Sequence, residues 1–188
     1  MIRKAFLAAL LLGAPSAARA ADSPAAAANA FYAVYGPTHL MGGGVPDATQ
    51  RVRYAPVLSP ALNARITQAA AAQARLTAKV KNAVPPVLQG DIFTSLFEGA
   101  TAWTVGACTG DARLSRCRVT LTHVPAAPPE SKAAGGKVEK PVQWDDILVL
   151  VSTPQGWKLD DVRYDARFAF GNTGRLSAML EMVVATNP

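Results

Sequence analysis

Two pairs of adjacent aspartates have the residue type and spacing for acid–base chemistry. They are Asp145-Asp146, in the segment QWDDILVLVS, and Asp160-Asp161, in the segment GWKLDDVRY. Acid–base catalysis needs two carboxyl groups that converge on one site, at least one of them desolvated enough to move its pKa. Neighbours on a regular strand point to opposite faces, so each pair converges only if its strand is bulged. A cross-strand cluster neutralised by Arg163 and Arg167 is one interpretation; a solvated rim of the sheet is the favoured one.

The two cysteines are the next residues that could carry chemistry. Cys108 and Cys117 bracket the segment TGDARLSR. In an oxidising compartment, an even pair at short range predicts a disulfide. A zinc site that adds His123 or His39 is disfavoured, because the chain has only these two histidines and lacks the paired Cys-x-x-Cys spacing. The same missing spacing argues against a thioredoxin-like redox site.

The sequence lacks the signatures of several common enzyme classes. It contains no Gly-x-Ser-x-Gly elbow, no phosphate-binding glycine loop before Lys-Ser or Lys-Thr, and no His-Glu-x-x-His. The carboxylates outside the two pairs that remain as candidates are Asp91, Glu98 and Asp165. We predict neither a cofactor nor a metal site.

Helices are predicted on either side of a block of strands. Ser23-Pro24 and Ser59-Pro60 each combine an N-cap residue with proline at the first helical position, and apolar residues then recur at helical spacing. We expect the first helix to end at Pro37 and the second at Pro85-Pro86, with MGGGVPDATQ as a flexible connection between them. A last helix is expected over residues 175–184.

Four consecutive strands are predicted between these helices, arranged as two hairpins. TAWTVGAC pairs with CRVTLTHV, and QWDDILVLVS, which is apolar on both faces and therefore central, pairs with GWKLDDVRYDARF. Facing Cys108 and Cys117 in plain register would turn the apolar residues of the first hairpin away from each other, so we predict a β-bulge at Gly106-Ala107. A second bulge at Asp160-Asp161 would bring Trp157, Leu159, Val162 and Tyr164 to one face.

Strands that follow helices as a group indicate an α+β fold rather than a parallel α/β fold. Residues 125–141, rich in Pro, Ala and Gly, are predicted to be an exposed, mobile connection whose lysines serve mainly as solvating charge. The remaining segment PPVLQGDIFTSLFEGA is predicted to be a loop with a short helical turn or two. The length suits one domain over residues 21–188.

Three segments carry a resemblance to a known family. Leu58-Ser59-Pro60-Ala61-Leu62, Gly90-Asp91-Ile92-Phe93 and the strand from Gly156 to Tyr164 resemble an exported bacterial family of unknown function. That family belongs to the nuclear-transport-factor-2-like, cystatin-related superfamily. The resemblance implies a cone-like, curved antiparallel sheet of about four strands on N-terminal helices, with a C-terminal helix and a pocket. It implies no activity, since that superfamily includes enzymes, binding modules and assembly factors.

Within that resemblance, a base opposite a tyrosine in the pocket would indicate an isomerase or a hydrolyase. The candidates are Asp91 or His123 as the base, and Tyr164, Tyr32 or Tyr35 as the donor. His123 is expected to point inward from its strand, although an inward histidine is more often a hydrogen-bonded core residue. Aromatic residues are expected to form the core and the pocket wall, with four binding candidates: Trp103, Trp144, Tyr35 and Tyr164.

The first twenty residues, MIRKAFLAALLLGAPSAARA, are predicted to be a signal peptide cleaved after Ala20. Their apolar run is too short to span a bilayer, so we expect an exported, periplasmic protein without membrane insertion. The full chain has 19 Lys and Arg against 13 Asp and Glu, and loss of Arg3, Lys4 and Arg19 would reduce its net charge from +6 to +3. That charge is too small to favour nucleic-acid binding.

The sequence favours a binding or interaction module whose ligand or protein partner it does not identify. Inhibition of a periplasmic enzyme, or assistance to one, is a concrete version of this hypothesis. The alternative is a small hydrolyase or isomerase that uses the Asp or His base and the Tyr donor. A homodimer through the sheet face is the oligomer that the resemblance suggests.

Overall fold

The structure, a computed structural model, describes residues 21–81, 83–126 and 140–186. The predicted signal peptide and most of the predicted 125–141 connection lie outside these residues. The helices and strands, in chain order, are α1 (Pro24–His39), α2 (Ala48–Tyr54), α3 (Pro60–Val80), β1 (Ala102–Gly110), β2 (Leu114–His123), β3 (Val142–Thr153), β4 (Gly156–Tyr164), β5 (Gly174–Arg175) and α4 (Leu176–Thr186).

The helix starts confirm the predicted caps, but the first helix ends later than predicted. The Ser23 side chain accepts a hydrogen bond from the Ala26 amide, and Ser59 does the same for Leu62. Helix α1 continues past Pro37 to His39. Its last turn is held by Gln50, whose side-chain amide donates to the Thr38 carbonyl. Tertiary hydrogen bonding therefore outweighs the local effect of the proline.

Helix α2 was not predicted, because its residues lie partly within the segment expected to be a flexible connection. A capping box begins it: Asp47 accepts from the Gln50 amide at 2.8 Å, and the Gln50 side chain accepts from the Asp47 amide at 2.9 Å. The signature Asp-x-x-Gln was thus present in the sequence. The preceding glycines obscured it.

The five strands form one antiparallel sheet in the order β1-β2-β3-β4-β5. This arrangement confirms the α+β class, the two hairpins and the central position of β3. The fifth strand was missed, since two residues cannot show an alternating pattern. It pairs Gly174 and Arg175 with the end of β4.

Both predicted β-bulges are present. Val105 pairs with Val119 and Cys108 with Cys117, so that Gly106 and Ala107 stand against one residue of β2. In the second hairpin Val149 pairs with Asp161 and Leu150 with Leu159, which leaves Asp160 as the extra residue. This extra residue keeps the apolar residues of β4 on the side of the sheet that faces the core. The predicted disulfide is confirmed, with a Cα–Cα distance of 4.0 Å between Cys108 and Cys117.

Helix α1 packs on the inner face of the sheet through fully buried Phe31, Tyr32 and Tyr35. These rings meet Tyr54 and Phe93 in an aromatic cluster. Helix α4 packs against α3 and β4. Within the three described stretches, no helix combines the length and hydropathy needed to cross a bilayer.

Candidate functional site

An open groove lies between two loops at one end of the sheet, the 91–99 loop before β1 and the 165–173 loop after β4. Its volume is about 490 Å³. We call it the aromatic groove and define it by its lining residues: Leu96, Phe97, Glu98, Phe168, Ala169, Phe170 and Gly171. The volume is in the range of small-ligand sites, about 300–1,000 Å³.

Two of the three phenylalanine side chains in the groove are exposed instead of joining the core. Phe170 is 88% exposed and Phe97 is 41% exposed. Phe168 is half-buried and packs edge-on against Trp144, with ring centroids 5.6 Å apart. Large exposed aromatic side chains grouped around one cavity are typical of an interaction site.

Asp146, in the central strand β3, holds the two loops together by accepting hydrogen bonds from both. Its carboxylate accepts hydrogen bonds from the Ser95 amide at 2.7 Å, the Asp165 amide at 2.9 Å and the Trp144 indole at 3.0 Å, as well as from the Ser95 hydroxyl. The side chain is fully buried, and desolvation raises its pKa while these hydrogen bonds oppose the rise. The favoured prediction of a solvated rim is therefore wrong for Asp146.

A second set of hydrogen bonds joins the loops directly. The Asn172 side-chain amide donates to the Asp91 carbonyl at 2.6 Å and to the Thr94 carbonyl at 2.7 Å, and the Asn172 backbone amide donates to the Ser95 carbonyl at 2.9 Å. Gly171 permits this approach, because a Cβ there would lie 2.3 Å from the Ser95 carbonyl oxygen. The walls of the groove are thus positioned before any ligand arrives.

Several base–tyrosine pairs were considered from the sequence. Within the described residues, Asp91 and Tyr35 are the one such pair whose side chains are hydrogen-bonded to each other. The Tyr35 hydroxyl donates to the Asp91 carboxyl group and accepts from the Ala100 amide at 2.9 Å. Burial raises the pKa of Asp91 to about 6, against hydrogen bonds from Tyr35 and the Phe93 amide that lower it. The His39 ring stacks on Tyr35 with centroids 4.4 Å apart.

The cavity beside Asp91 is far smaller than the aromatic groove. Its volume is about 10 Å³, and its walls include His39, Gln50 and the glycines at 42–44. A space of this size holds about one water molecule. In the structure, Asp91 and Tyr35 therefore shape the 91–99 loop, with no room for a substrate beside them.

Two of the other proposed catalytic residues, Tyr164 and His123, also hold the 91–99 loop. The Tyr164 hydroxyl donates to the Ile92 carbonyl at 2.6 Å, and the His123 Nδ1 atom lies 2.8 Å from the Gly99 carbonyl oxygen. Neither residue lines the aromatic groove. Sequence reasoning thus identified polar residues that converge on one loop, and the structure places them as supports of that loop.

The tryptophan and tyrosine binding candidates lie behind the groove or away from it. Trp144 is buried and supports Phe168 from below. Trp103 stacks on Tyr32, with ring centroids 5.2 Å apart, and Tyr35 and Tyr164 are buried. The groove phenylalanines were missed because they belong to loops. The alternation in RFAFG was the available signal.

The remaining paired aspartates do not converge on a common site. Asp145 accepts from Arg118 and Thr120 on the outer side of the sheet, and these partners lower its pKa. Asp160 accepts from the Ser59 hydroxyl. Asp161 is buried at the start of α4, where the Ser177 amide donates to it at 2.9 Å, so the prediction of a solvated rim is wrong for this residue too. The four carboxylates stabilise separate junctions of the fold.

In the part of the chain that the structure describes, no group of three or more His, Cys, Asp or Glu side chains has the proximity to hold a metal ion. Comparison with protein-family models, with curated proteins and with solved structures finds no match to this chain. Functional inference therefore rests on the geometry of the site.

Proposed function

We propose that this protein is a non-enzymatic binding module that takes up the apolar part of a small ligand in the aromatic groove. One observation carries the proposal: exposed phenylalanines surround an open cavity of about 490 Å³. Exposing Phe170 and Phe97 to water costs hydrophobic free energy, at roughly 25 cal/mol per Å² of apolar surface. Ligand burial recovers that free energy.

The rigidity of the groove supports binding. Asp146 accepts three hydrogen bonds from the two loops, two from Ser95 and one from the Asp165 amide, and Asn172 adds three more between the loops. A site ordered in advance loses less conformational entropy when the ligand arrives. Binding would therefore proceed with little rearrangement of the loops.

The chemistry of the lining favours a binding module over an enzyme. Among the described residues that line the groove, Glu98 carries the one ionisable side chain. It is exposed, and no acid–base partner stands beside it in the lining. Acid–base catalysis in the groove would lack the second, desolvated group that it requires.

Titration with N-phenyl-1-naphthylamine, an uncharged apolar dye that fluoresces in apolar surroundings, tests the proposal. Saturable binding that depends on Phe170 is the expected result. Equal dye binding after removal of Phe170 would refute it.

Export and family membership form part of the same proposal. We propose cleavage after Ala20, action in the periplasm and a cone-like fold of the nuclear-transport-factor-2-like kind. The signal-like residues 1–20, the disulfide and the antiparallel sheet around α1 support it. N-terminal sequencing of the protein from a periplasmic fraction should begin at Ala21; an uncleaved chain in the cytoplasmic fraction would refute the export proposal.

A hydrolyase or isomerase that uses Asp91 and Tyr35 is the second candidate. The raised pKa of Asp91, about 6, is the observation that favours it, since a base near neutral pH suits proton transfer. The glycines at 42–44, which line the 10 Å³ cavity beside Asp91, would have to move away to admit a substrate. Turnover abolished by Asp91→Asn but retained by Phe170→Ala would support this candidate against the binding module.

A further inference from the structure

The outer face of the sheet, on the side away from α1, carries a row of arginines in register. Arg118 of β2 pairs with Ile147 of β3, Ile147 with Arg163 of β4, and Arg163 with Arg175 of β5. Arg116 lies two residues before Arg118 in β2, on the same face, and pairs with Val149 of β3. Adjacent strands lie about 4.8 Å apart, so four guanidinium groups occupy one small area.

These arginines are available to a partner. The side chains of Arg118, Arg163 and Arg175 are 55%, 47% and 59% exposed. Two of their carboxylate contacts, from Arg118 to Asp145 at 2.9 Å and from Arg163 to Asp165 at 3.4 Å, lie at the surface and are therefore weak. The third, from Arg175 to the buried Asp161, is long at 4.0 Å, and the amide and hydroxyl of Ser177 already donate to that carboxylate. Arg116 is exposed and makes no ion pair within the described residues.

The fold holds this face rigidly. Cys117 lies between Arg116 and Arg118, points inward, and is joined to Cys108 of β1. On the outer face itself, the neighbouring strand β3 places the buried Ile147 and the half-buried Val149 between the arginines. The face thus alternates arginines with apolar side chains on a rigid backbone, and it is separate from the aromatic groove.

We propose that this arginine face binds an acidic protein segment in which carboxylates alternate with apolar side chains. A guanidinium group binds carboxylates, as Arg118 does when it donates to Asp145 at 2.9 Å, and arginine is enriched at protein interfaces. Asp145 and Asp165 on the same face disfavour the uniformly anionic surface of a membrane. The arginine face and the aromatic groove are separate surfaces, and neither requires the other.

Fluorescence anisotropy with a labelled Glu-Val-Glu-Val-Glu-Val-Glu-Val peptide and the mature chain tests the proposal. Arg116→Ala/Arg163→Ala should weaken binding about tenfold at 50 mM salt. The control Arg53→Ala/Lys79→Ala removes the same charge from exposed helical positions and should change binding less than about twofold. Phe170→Ala should have no effect, which separates this test from that of the groove.

Three results would overturn the arginine face as a protein-binding surface. The first is an equal loss of peptide binding in Arg116→Ala/Arg163→Ala and in the control Arg53→Ala/Lys79→Ala, since net charge alone would then explain the binding. The second is tighter, Arg116-dependent binding to vesicles of pure phosphatidylglycerol than to the peptide. Absence of measurable peptide binding at 50 mM salt would also refute it.

Discussion

Asp146 in the central strand binds both the backbone amide and the hydroxyl of Ser95, a residue 51 positions earlier in the chain. This contact joins the sheet to one wall of the aromatic groove, and the Asp165 amide joins the same carboxylate to the other wall. A residue whose favoured prediction was a solvated rim is thus buried and holds both walls of the groove in place.

Removal of the Asp146 carboxylate should destabilise the protein strongly. Asp146→Ala leaves several buried donors without an acceptor, and we expect the free energy of unfolding to fall by about 3–5 kcal/mol. Ser95→Ala removes one hydroxyl from the same network and should cost about 1–2 kcal/mol. Urea unfolding measures both values; equal, small losses would show that Asp146 does not anchor the loops.

Asp91 should make stability depend on pH. Its pKa is raised from 3.8 to about 6 in the folded protein, so the folded state binds the proton more tightly than the unfolded state. The resulting stabilisation is complete below pH 3.8 and is lost as the pH rises through about 6. The difference amounts to about 3 kcal/mol.

The variant Asp91→Asn isolates this effect. Urea unfolding of the wild type and the variant between pH 4 and pH 8 should show the wild type losing stability relative to Asp91→Asn as the pH rises. A difference between the two proteins that stays constant over this range would exclude a raised pKa for Asp91.

The disulfide should contribute about 2–3 kcal/mol, because it closes a short loop between cysteines separated by 9 positions. Cys108→Ser/Cys117→Ser should lower the urea midpoint accordingly. Mass measurement of the protein purified without reductant should show two hydrogens fewer than the reduced chain. Two free thiols in that sample would contradict the bridge.

Much of the sheet was predictable because burial imposes an alternating pattern. The alternation of apolar and polar residues shifts by one position between Leu159 and Val162. One extra residue in the strand explains this shift, and Asp160 is that residue. The same reasoning located the bulge before Cys108. Arguments from the alternating pattern work here because most residues that face inward from the sheet are apolar.

The aromatic groove was not predictable in the same way. Its walls come from loops more than sixty positions apart, joined by Asp146 and Asn172. No spacing in the sequence indicates that these loops meet. Sequence reasoning could identify Asp91 and Tyr164 as polar residues near one loop, but not whether their hydrogen bonds hold the loop or act on a substrate.

The binding of N-phenyl-1-naphthylamine to matched variants tests the central claim most directly. Phe170 lies in the groove and is 88% exposed, whereas Leu40, at the end of α1 and 76% exposed, lies outside it. Phe170→Ala should weaken dye binding about tenfold, the loss expected for one aromatic contact, without lowering stability. Leu40→Ala should bind the dye like the wild type. Equal dye binding by all three proteins, or an equal loss in both variants, would contradict the aromatic groove as the ligand site.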